Sequence, residues 1–517
     1  MTPPDPVAAP STVRLAEVLA AVSLASDVGH DQPLEKSLRN AVIAARLGEE
    51  LGLTREELSA AYYVALLRSM GCTGNSHETA VLFGGDDRAF LGLVQELAGG
   101  DPLEWARRAS RQVAATAPEL AAARTEQWFL TTGRLEGRAA AASACEVSSA
   151  LARRLGLPAA VQAGLEQVYE RWDGRGPGGV GSEALCLAAR VSHVVDVVEI
   201  ADRAGGVAAA RELVRRRTGS HFDPAIAAVF DRCAGELLAG LDDVDMVRAA
   251  LDAEPTPQPR CPRGELEQLA RAIADFADLK SPWTLGHSPA VAKLAAGAAR
   301  EEDRATLLLA GLLHDLGRVA VPNGIWDRPK SLVAAQWERV RLHTYYTERI
   351  LSRTPVFGGL SALAGSHHEY LDGSGYHRSI GGDALSEPMR VLAVADAYVA
   401  MTNDRPHRPA LSNGAAAAQL HGAVSSGLLC GHAVAAVLEA AGHEPAPVPA
   451  PPGGLTEREV DVLVLLARGL TNKQIGGELY VSPRTVQHHV AHIYDKIDRR
   501  TRAGAAMFAM EHRLVTA

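Results

Sequence analysis

At 517 residues the chain is too long for one hydrophobic core, and it is expected to divide into two to four domains. Its formal net charge of -9 excludes a chain-wide nucleic-acid surface, so any DNA contact must be confined to a local patch. Hydrophobic residues make up 47% of the chain but aromatics only 5%, so short aliphatic side chains fill the cores, which favours an all-α fold with little sheet.

Met1 to Pro10 is proline-rich and lacks the basic and apolar regions of a signal peptide. No apolar run approaches the roughly 18 residues that a membrane-spanning helix needs. The six cysteines, Cys72, Cys145, Cys186, Cys233, Cys261 and Cys430, form no CxxC pair, which suits a reducing compartment better than a disulfide framework. A cytoplasmic protein without a membrane partner is therefore expected.

Residues 13 to 70 read as two or three amphipathic helices, among them Arg39 to Leu51 and Glu56 to Met70, with Gly52 as the stop between them. Further on, the chain repeats itself. Glu170, Asp173-Gly174, Ala184-Leu185, Arg190-Val191 and Asp196 recur as Glu369, Asp372-Gly373, Ala384-Leu385, Arg390-Val391 and Asp396. In this alignment Arg68-Ser69 stands opposite His314-Asp315, Val168-Tyr169 opposite His367-His368, and Asn40 opposite His287; only Asp196 survives as a ligand type. The first copy also carries about 47 extra residues between its matching blocks. It reads as a sensor, a dimerisation unit or a packing partner. Proline-dense linkers at 254–262 and 444–454, the second stiff and extended in its proline part, bound the pieces 1–253, 263–443 and 455–517.

In the middle piece, Ala305 to Leu313 is an uncharged helical run. His314 and Asp315 then sit at its inner end, where an ionised carboxylate is costly unless it is paired or bound to metal. With His287, His343, His367, His368 and Asp396 they make seven N/O donors. That number suits two divalent metal ions such as iron or manganese, whereas a structural zinc closes at four ligands and usually takes Cys. Two metals about 3.5–4 Å apart can hold a bridging hydroxide and polarise a phosphoryl oxygen, which is phosphodiester chemistry.

The order His287, His314-Asp315, His343, His367-His368-Glu369, Asp372-Gly373-Ser374-Gly375-Tyr376 and Asp396 resembles the HD-GYP family of HD phosphohydrolases, over roughly residues 280 to 440. The resemblance implies an all-helical domain that hydrolyses a cyclic dinucleotide, chiefly cyclic di-GMP. It implies that all seven donors are metal ligands, with Asp315 bridging. It further implies that Arg318, in place of the family's usual lysine, serves catalysis at a phosphate, and that Arg405, Arg408 and Tyr376 bind substrate. Three positions depart from the pattern. His377 replaces the signature proline and removes its φ restraint, Trp283 replaces a Glu found in trimetal members, and Thr347 replaces a glycine and is expected to crowd the pocket.

At the C-terminus, Thr456 and Glu459 form a capping box for a helix ending at Gly469, and Asn472 to Leu479 makes a second helix. Ser482 and Pro483 start a third, whose apolar face is Val486, Val490, Ile493 and Ile497. This is a helix-turn-helix pattern. The whole stretch resembles the LuxR-type DNA-binding domain. The resemblance implies four helices, homodimers on two-fold sites of double-stranded DNA, base contacts from Gln487 and His488, and backbone contacts from Lys473, Ser482, Arg484 and Thr485. Nine Lys and Arg against seven Asp and Glu in 455–517 give a small positive patch, so binding is expected to be weak and salt-sensitive without pairing. The chain thus reads as a DNA-binding transcriptional regulator with a cyclic-dinucleotide phosphodiesterase domain. The other reading is a transcription factor whose middle domain binds nucleotide or metal without turnover.

Overall fold

The computed structural model describes residues 11–97, 100–443, 452–499, 501–512 and 514. Met1 to Pro10 and most of the second proline-dense linker, 444–451, lie outside the described residues. The chain forms two compact units, 1–443 and 444–517.

The first unit opens with α1 (Leu15–Gly29), α2 (Lys36–Glu50) and α3 (Arg55–Leu67). Four helices follow, α4 (Ser76–Phe83), α5 (Asp87–Glu96), α6 (Pro102–Thr116) and α7 (Glu126–Leu130). The copy is completed by α8 (Thr132–Arg154), α9 (Ala159–Glu166), α10 (Leu187–Arg217), α11 (Pro224–Leu238) and α12 (Met246–Asp252). The second copy runs through α13 (Leu266–Asp278), α14 (His287–Ala298), α15 (Arg304–Leu313), α16 (Asn323–Trp326) and α17 (Ala334–Ser352). It ends with α18 (Ser361–Ala364), α19 (Glu387–Thr402), α20 (Asn413–Ser425) and α21 (Gly431–Ala440). The fold is all-α. Among the described residues the one sheet is a pair of three-residue strands, β1 (Thr12–Arg14) and β2 (Arg260–Pro262), antiparallel with Val13 opposite Cys261. No described helix is long and apolar enough to cross a membrane.

β2 lies in the first proline-dense segment, which is thereby stitched to the start of the chain. Leu15 N donates to Pro259 O at 2.9 Å, and buried Glu254 accepts from Arg14 and Tyr63. The two copies also share a hydrophobic core. Leu19, Tyr63, Leu66 and Val194 of the first belong to the same cluster as Leu312, Leu316 and Val319 of the second.

The repeat is visible in backbone detail. Glu35 and Gly286, just ahead of α2 and α14, share a left-handed φ of 78° and 76°, and Ser182 and Gly382 share φ of 51° and 53°. Buried Asp27 accepts from Ser37 N and Oγ as Asp278 accepts from Ser288 N and Oγ. These equivalences correct one alignment: Lys36, not Asn40, occupies the place of His287. Lys36 ion-pairs with Asp196, as His287 pairs with Asp396. Spacing alone put Asn40 there because it too reaches Asp196, from one helical turn further on, at 3.3 Å. The extra residues of the first copy are α4 to α7, closed on their own aromatic cluster, where Phe83 stacks on Phe90 with ring centroids 3.7 Å apart and Phe129 is fully buried.

The second unit is α22 (Glu457–Ala467), α23 (Asn472–Glu478), α24 (Pro483–Lys496) and α25 (Arg502–Glu511) around Leu463, Ile475, Val486, Ile493 and Phe508. Thr456 accepts from Glu459 N in a reciprocal capping box, and Ser482 accepts from Thr485 N at 3.1 Å.

Candidate metal centre

The uncharged run from Ala305 ends α15 at Leu313, so the next two residues, His314 and Asp315, enter the core at its end, 0% and 2% exposed. Glycines let the neighbouring helices come close. A methyl group at Gly311 would overlap the backbone of Ala292 on α14, and one at Gly317 would overlap the His343 carbonyl on α17. His287 begins α14, His343 lies within α17, His367-His368 follow α18, and Asp396 lies within α19.

All seven predicted donors converge. Asp315 Oδ1 lies 3.4 Å from His343 Nε2 and 3.6 Å from His367 Nε2, while its Oδ2 lies 3.6 Å from the Nε2 atoms of both His287 and His314. Asp396 Oδ1 accepts from His287 Nε2 at 3.0 Å and lies 3.7 Å from His314 Nε2; its Oδ2 is 3.8 Å from His368 Nε2. Two groups of donors, His343/His367/His368 and His287/His314/Asp396, therefore flank one carboxylate.

Three imidazoles are set by their backbones. The Nδ1 atoms of His314, His343 and His367 donate to Gly311 O, Val340 O and Ala364 O at 2.8, 2.6 and 2.7 Å, so their Nε2 lone pairs face inward. With those tautomers, His343 Nε2 and His367 Nε2 point lone pairs at each other across 3.0 Å, and buried His314 Nε2 has no hydrogen-bond partner. Inward lone pairs beside two buried carboxylates are satisfied by cations, so the donor set fits divalent metal ions.

Electrostatics agree. Burial would raise the Asp315 carboxyl, but Arg318 and the imidazoles of His314, His367 and His343 hold it well below the usual carboxylate range. Burial, helped by His367 and Arg318 and opposed by Asp315, lowers His343 to about 3, which keeps it a neutral ligand type. Burial opposes charge on His314 too, yet Asp315 and Asp396 push it up to about 9, a measure of how strongly the two carboxylates call for positive charge.

Arg318 lies in a 3-10 turn (Leu316–Ala320) after α15, donates Nη1 to Asp315 Oδ2 at 2.6 Å, and stacks on Trp326 with its guanidinium carbon 4.0 Å from the ring centroid. Arg405 donates to Trp283 O at 2.9 Å and brings Nη2 to 3.5 Å from His287 Nδ1; burial and Arg318 bring it down to about 10, still a cation at neutral pH. Tyr376 lays its ring 4.5 Å from that of His368. Arg408 donates through its two Nη atoms to Ala400 O and Met401 O at the end of α19, and its backbone pairs with that of Arg405.

Two departures from the family pattern have physical explanations. His377 replaces the φ restraint of proline by two bonds to α17, with Nδ1 2.9 Å from Thr344 Oγ1 and Nε2 2.9 Å from Glu348 Oε2. Thr347 does not crowd the donors. Its hydroxyl donates to His314 O at 2.8 Å and accepts from Gly317 N at 2.9 Å, clipping the end of α15 to α17. Trp326 was not foreseen; a tryptophan eight residues beyond Arg318, across a turn, leaves no periodic signal.

In the second unit, Arg484, Gln487 and His488 line one open surface on α24 with Asn472, Pro483, Ala491 and His492. Lys473 is exposed on α23 beside it, and Ser482 and Thr485 hydrogen-bond each other at the start of α24. His492, whose ring centre is 5.2 Å from that of His488, is a further member of this surface; its i+4 spacing was the available signal.

An all-helical core that gathers His, His-Asp, His, His-His and Asp in this order defines the HD class, here preceded by a helical copy without that series and followed by a four-helix unit. The HD domain pattern matches residues 271–426, and that of bacterial regulatory proteins of the luxR family matches 454–509. The 3'3'-cGAMP-specific phosphodiesterase 3 of Vibrio cholerae is 30% identical over 427 residues, 78% of this chain and 89% of that protein. The cyclic di-GMP phosphodiesterase response regulator RpfG of Xanthomonas campestris is 34% identical over 166 residues, 31% of this chain and 43% of its own. The crystal structure of a cyclic GMP-AMP specific phosphodiesterase from V. cholerae superposes with a TM-score of 0.58 at 26% identity, covering 84% of this chain and 99% of that one. The chain belongs to the HD-domain phosphodiesterase family, of HD-GYP type, and carries a LuxR-type DNA-binding domain.

Proposed function

We propose that this chain is a cytoplasmic, homodimeric transcriptional regulator whose second copy is a two-metal phosphodiesterase opening a cyclic dinucleotide. The observation that carries the reading is Asp315, with one oxygen turned to His343 and His367 and the other to His287 and His314. In this reading His287, His314 and Asp396 would hold one iron or manganese ion and His343, His367 and His368 the other, with Asp315 available to both. Such ions, when bound, activate water at neutral pH and offset charge on phosphoryl oxygens.

The chain's own residues do the rest. Arg405, beside His287, meets a phosphate as a cation, and Arg318 keeps Asp315 ionised and oriented. Tyr376 covers His368 and narrows the access of bulk water. Hydrolysis adds the water oxygen to one phosphorus, and the leaving ribose oxygen takes a proton, which gives a linear dinucleotide. The substrate we favour is 3'3'-cGAMP, because likeness to the phosphodiesterase named for it spans both copies, whereas the likeness to the cyclic di-GMP enzyme covers 31% of the chain. Gln487 and His488 would read bases and Lys473, Ser482, Arg484 and Thr485 the DNA backbone, making the second unit the output.

The test is hydrolysis of 3'3'-cGAMP and of cyclic di-GMP by anaerobically purified protein of measured metal content, beside the His314→Ala/Asp315→Ala variant. Turnover of 3'3'-cGAMP with about two ions per chain, both lost in the variant, is the expected result. Metal without turnover of either nucleotide would make the domain a sensor.

A further inference from the structure

The helices that the first copy has and the second lacks do not stand apart from the metal centre. Asp87, the first residue of α5 and 0% exposed, accepts from Lys280 Nζ with Oδ2 and from Asn323 N with Oδ1 at 2.7 Å. Asn323 Nδ2 in turn donates to Lys280 O, and Gly324 N donates to Gly85 O at 2.8 Å. A methyl group at Gly324 would overlap the backbone of Gly85, so the two segments meet main chain to main chain.

Asn323 opens α16, a helix of four residues, too short to be stable alone. Pro322, at its N-cap, has no side-chain oxygen to accept from the first amides, and Asp87 supplies that acceptor from the other copy. α16 ends in Trp326, whose indole N–H donates to Arg318 O at 3.2 Å and whose ring bears the Arg318 guanidinium. Arg318 then places Nη1 on Asp315. A long cation on a short turn is held in one arrangement by this stack.

We propose that Asp87 is a positioning residue for the second copy's centre, acting on Asp315 through α16, Trp326 and Arg318. The inserted helices of the first copy thus complete the centre of the second. This proposal rests on the phosphodiesterase reading for its kinetic consequence and on contacts alone for its structural one.

Full-length wild type and Asp87→Asn are compared by hydrogen–deuterium exchange and by hydrolysis of 3'3'-cGAMP. In Asp87→Asn, exchange over residues 316–327 is expected to accelerate by about tenfold or more while 361–381 keeps its rate. The kcat is expected to fall by about tenfold with KM nearly unchanged, and the same change in an Arg318→Ala background to cost less than about twofold. Unchanged exchange over 316–327, acceleration throughout the chain, or fully additive losses would each overturn the proposal. Should Asp87→Asn fail to fold, Trp326→Leu, which leaves the Asp87–Lys280 pair intact, must show the same kcat loss absorbed by Arg318→Ala; wild-type kinetics there would also overturn it. A wild-type protein without hydrolysis sinks the phosphodiesterase reading, and the exchange result still decides this one.

Discussion

Asp196 and Asp396 hold the same place in the two copies and differ in what neutralises them. Around Asp396 stand imidazoles with lone pairs; around Asp196 stand Lys36, Arg68 at 3.1 Å and Asn40, all buried. Ala144 and Ser148 stand where His343 and Thr347 do, since Gly71 approaches the first pair as Gly317 approaches the second. In the first copy buried cations thus stand where the second has imidazoles, and burial, opposed by Lys36 and Arg68, leaves the Asp196 carboxyl at about 2. Asp196→Ala would strand two buried cations and should destabilise the chain by about 3–5 kcal/mol in urea unfolding, with metal content unchanged in the folded fraction. A cost below about 1 kcal/mol would mean that Lys36 and Arg68 find other partners. Asp27 gives a pH test. Burial, resisted by its bonds to Ser37, pushes its carboxyl from 3.8 up to about 7. Between those values the folded state keeps a proton that the unfolded state has lost, so this group's contribution to stability drains as pH rises from about 4 to about 7. Asp27→Asn should therefore raise the melting temperature relative to wild type at pH 8 more than at pH 5; an equal effect at both would refute the assignment.

Between elements, the contact that matters most is the turn after α15 against α17. Gly317 lets the two pass at backbone distance, and Thr347 spans the gap by bonding both His314 O and Gly317 N. Gly317→Ala should force them apart, separating Asp315 from His343, at about 1–3 kcal/mol of stability. The variant should lose part of its bound metal, read by elemental analysis. Gly71→Ala, where a methyl would overlap Ala144 O, should cost comparable stability and no metal. This contrast bears on what was legible beforehand. The donors were legible because each is a distinctive residue type in an ordered series, and α22 to α24 because capping residues and apolar spacing are local signals. The place of Lys36 was not, because it is set by a left-handed residue at 35 and a buried Asp27–Ser37 pair, neither of which has a sequence period. Nor was the docking of α4 and α5 on α16. It rests on single buried contacts between residues more than 190 apart, such as Asp87 with Lys280.

For the whole molecule the question is how a metal-binding unit and a DNA-binding unit of one chain work together. The open surface proposed to read DNA, lined by Arg484, Gln487 and His488, also includes the small Ala491, and the unit as a whole carries little excess positive charge. So small an excess implies few phosphate contacts, and hence modest, salt-sensitive affinity for a single copy. Two copies on a two-fold site gain by effective concentration, provided that residues before 444 hold them together. The full chain should therefore bind a two-fold site about 100-fold or more tighter than the segment 452–517, whose own core of Leu463, Ile475, Val486 and Ile493 is complete. Fluorescence anisotropy at several salt concentrations, with the mass of the free and DNA-bound chain measured alongside, reads this directly. A full chain that stays monomeric and binds no tighter than the segment would leave the first unit without a role in DNA affinity. A nucleotide that changes the affinity of the full chain but not of the segment would place the coupling between the two units. Linkage then requires DNA to change nucleotide affinity by the same factor, a reciprocal measurement that a localisation-only role for the DNA-binding unit would fail.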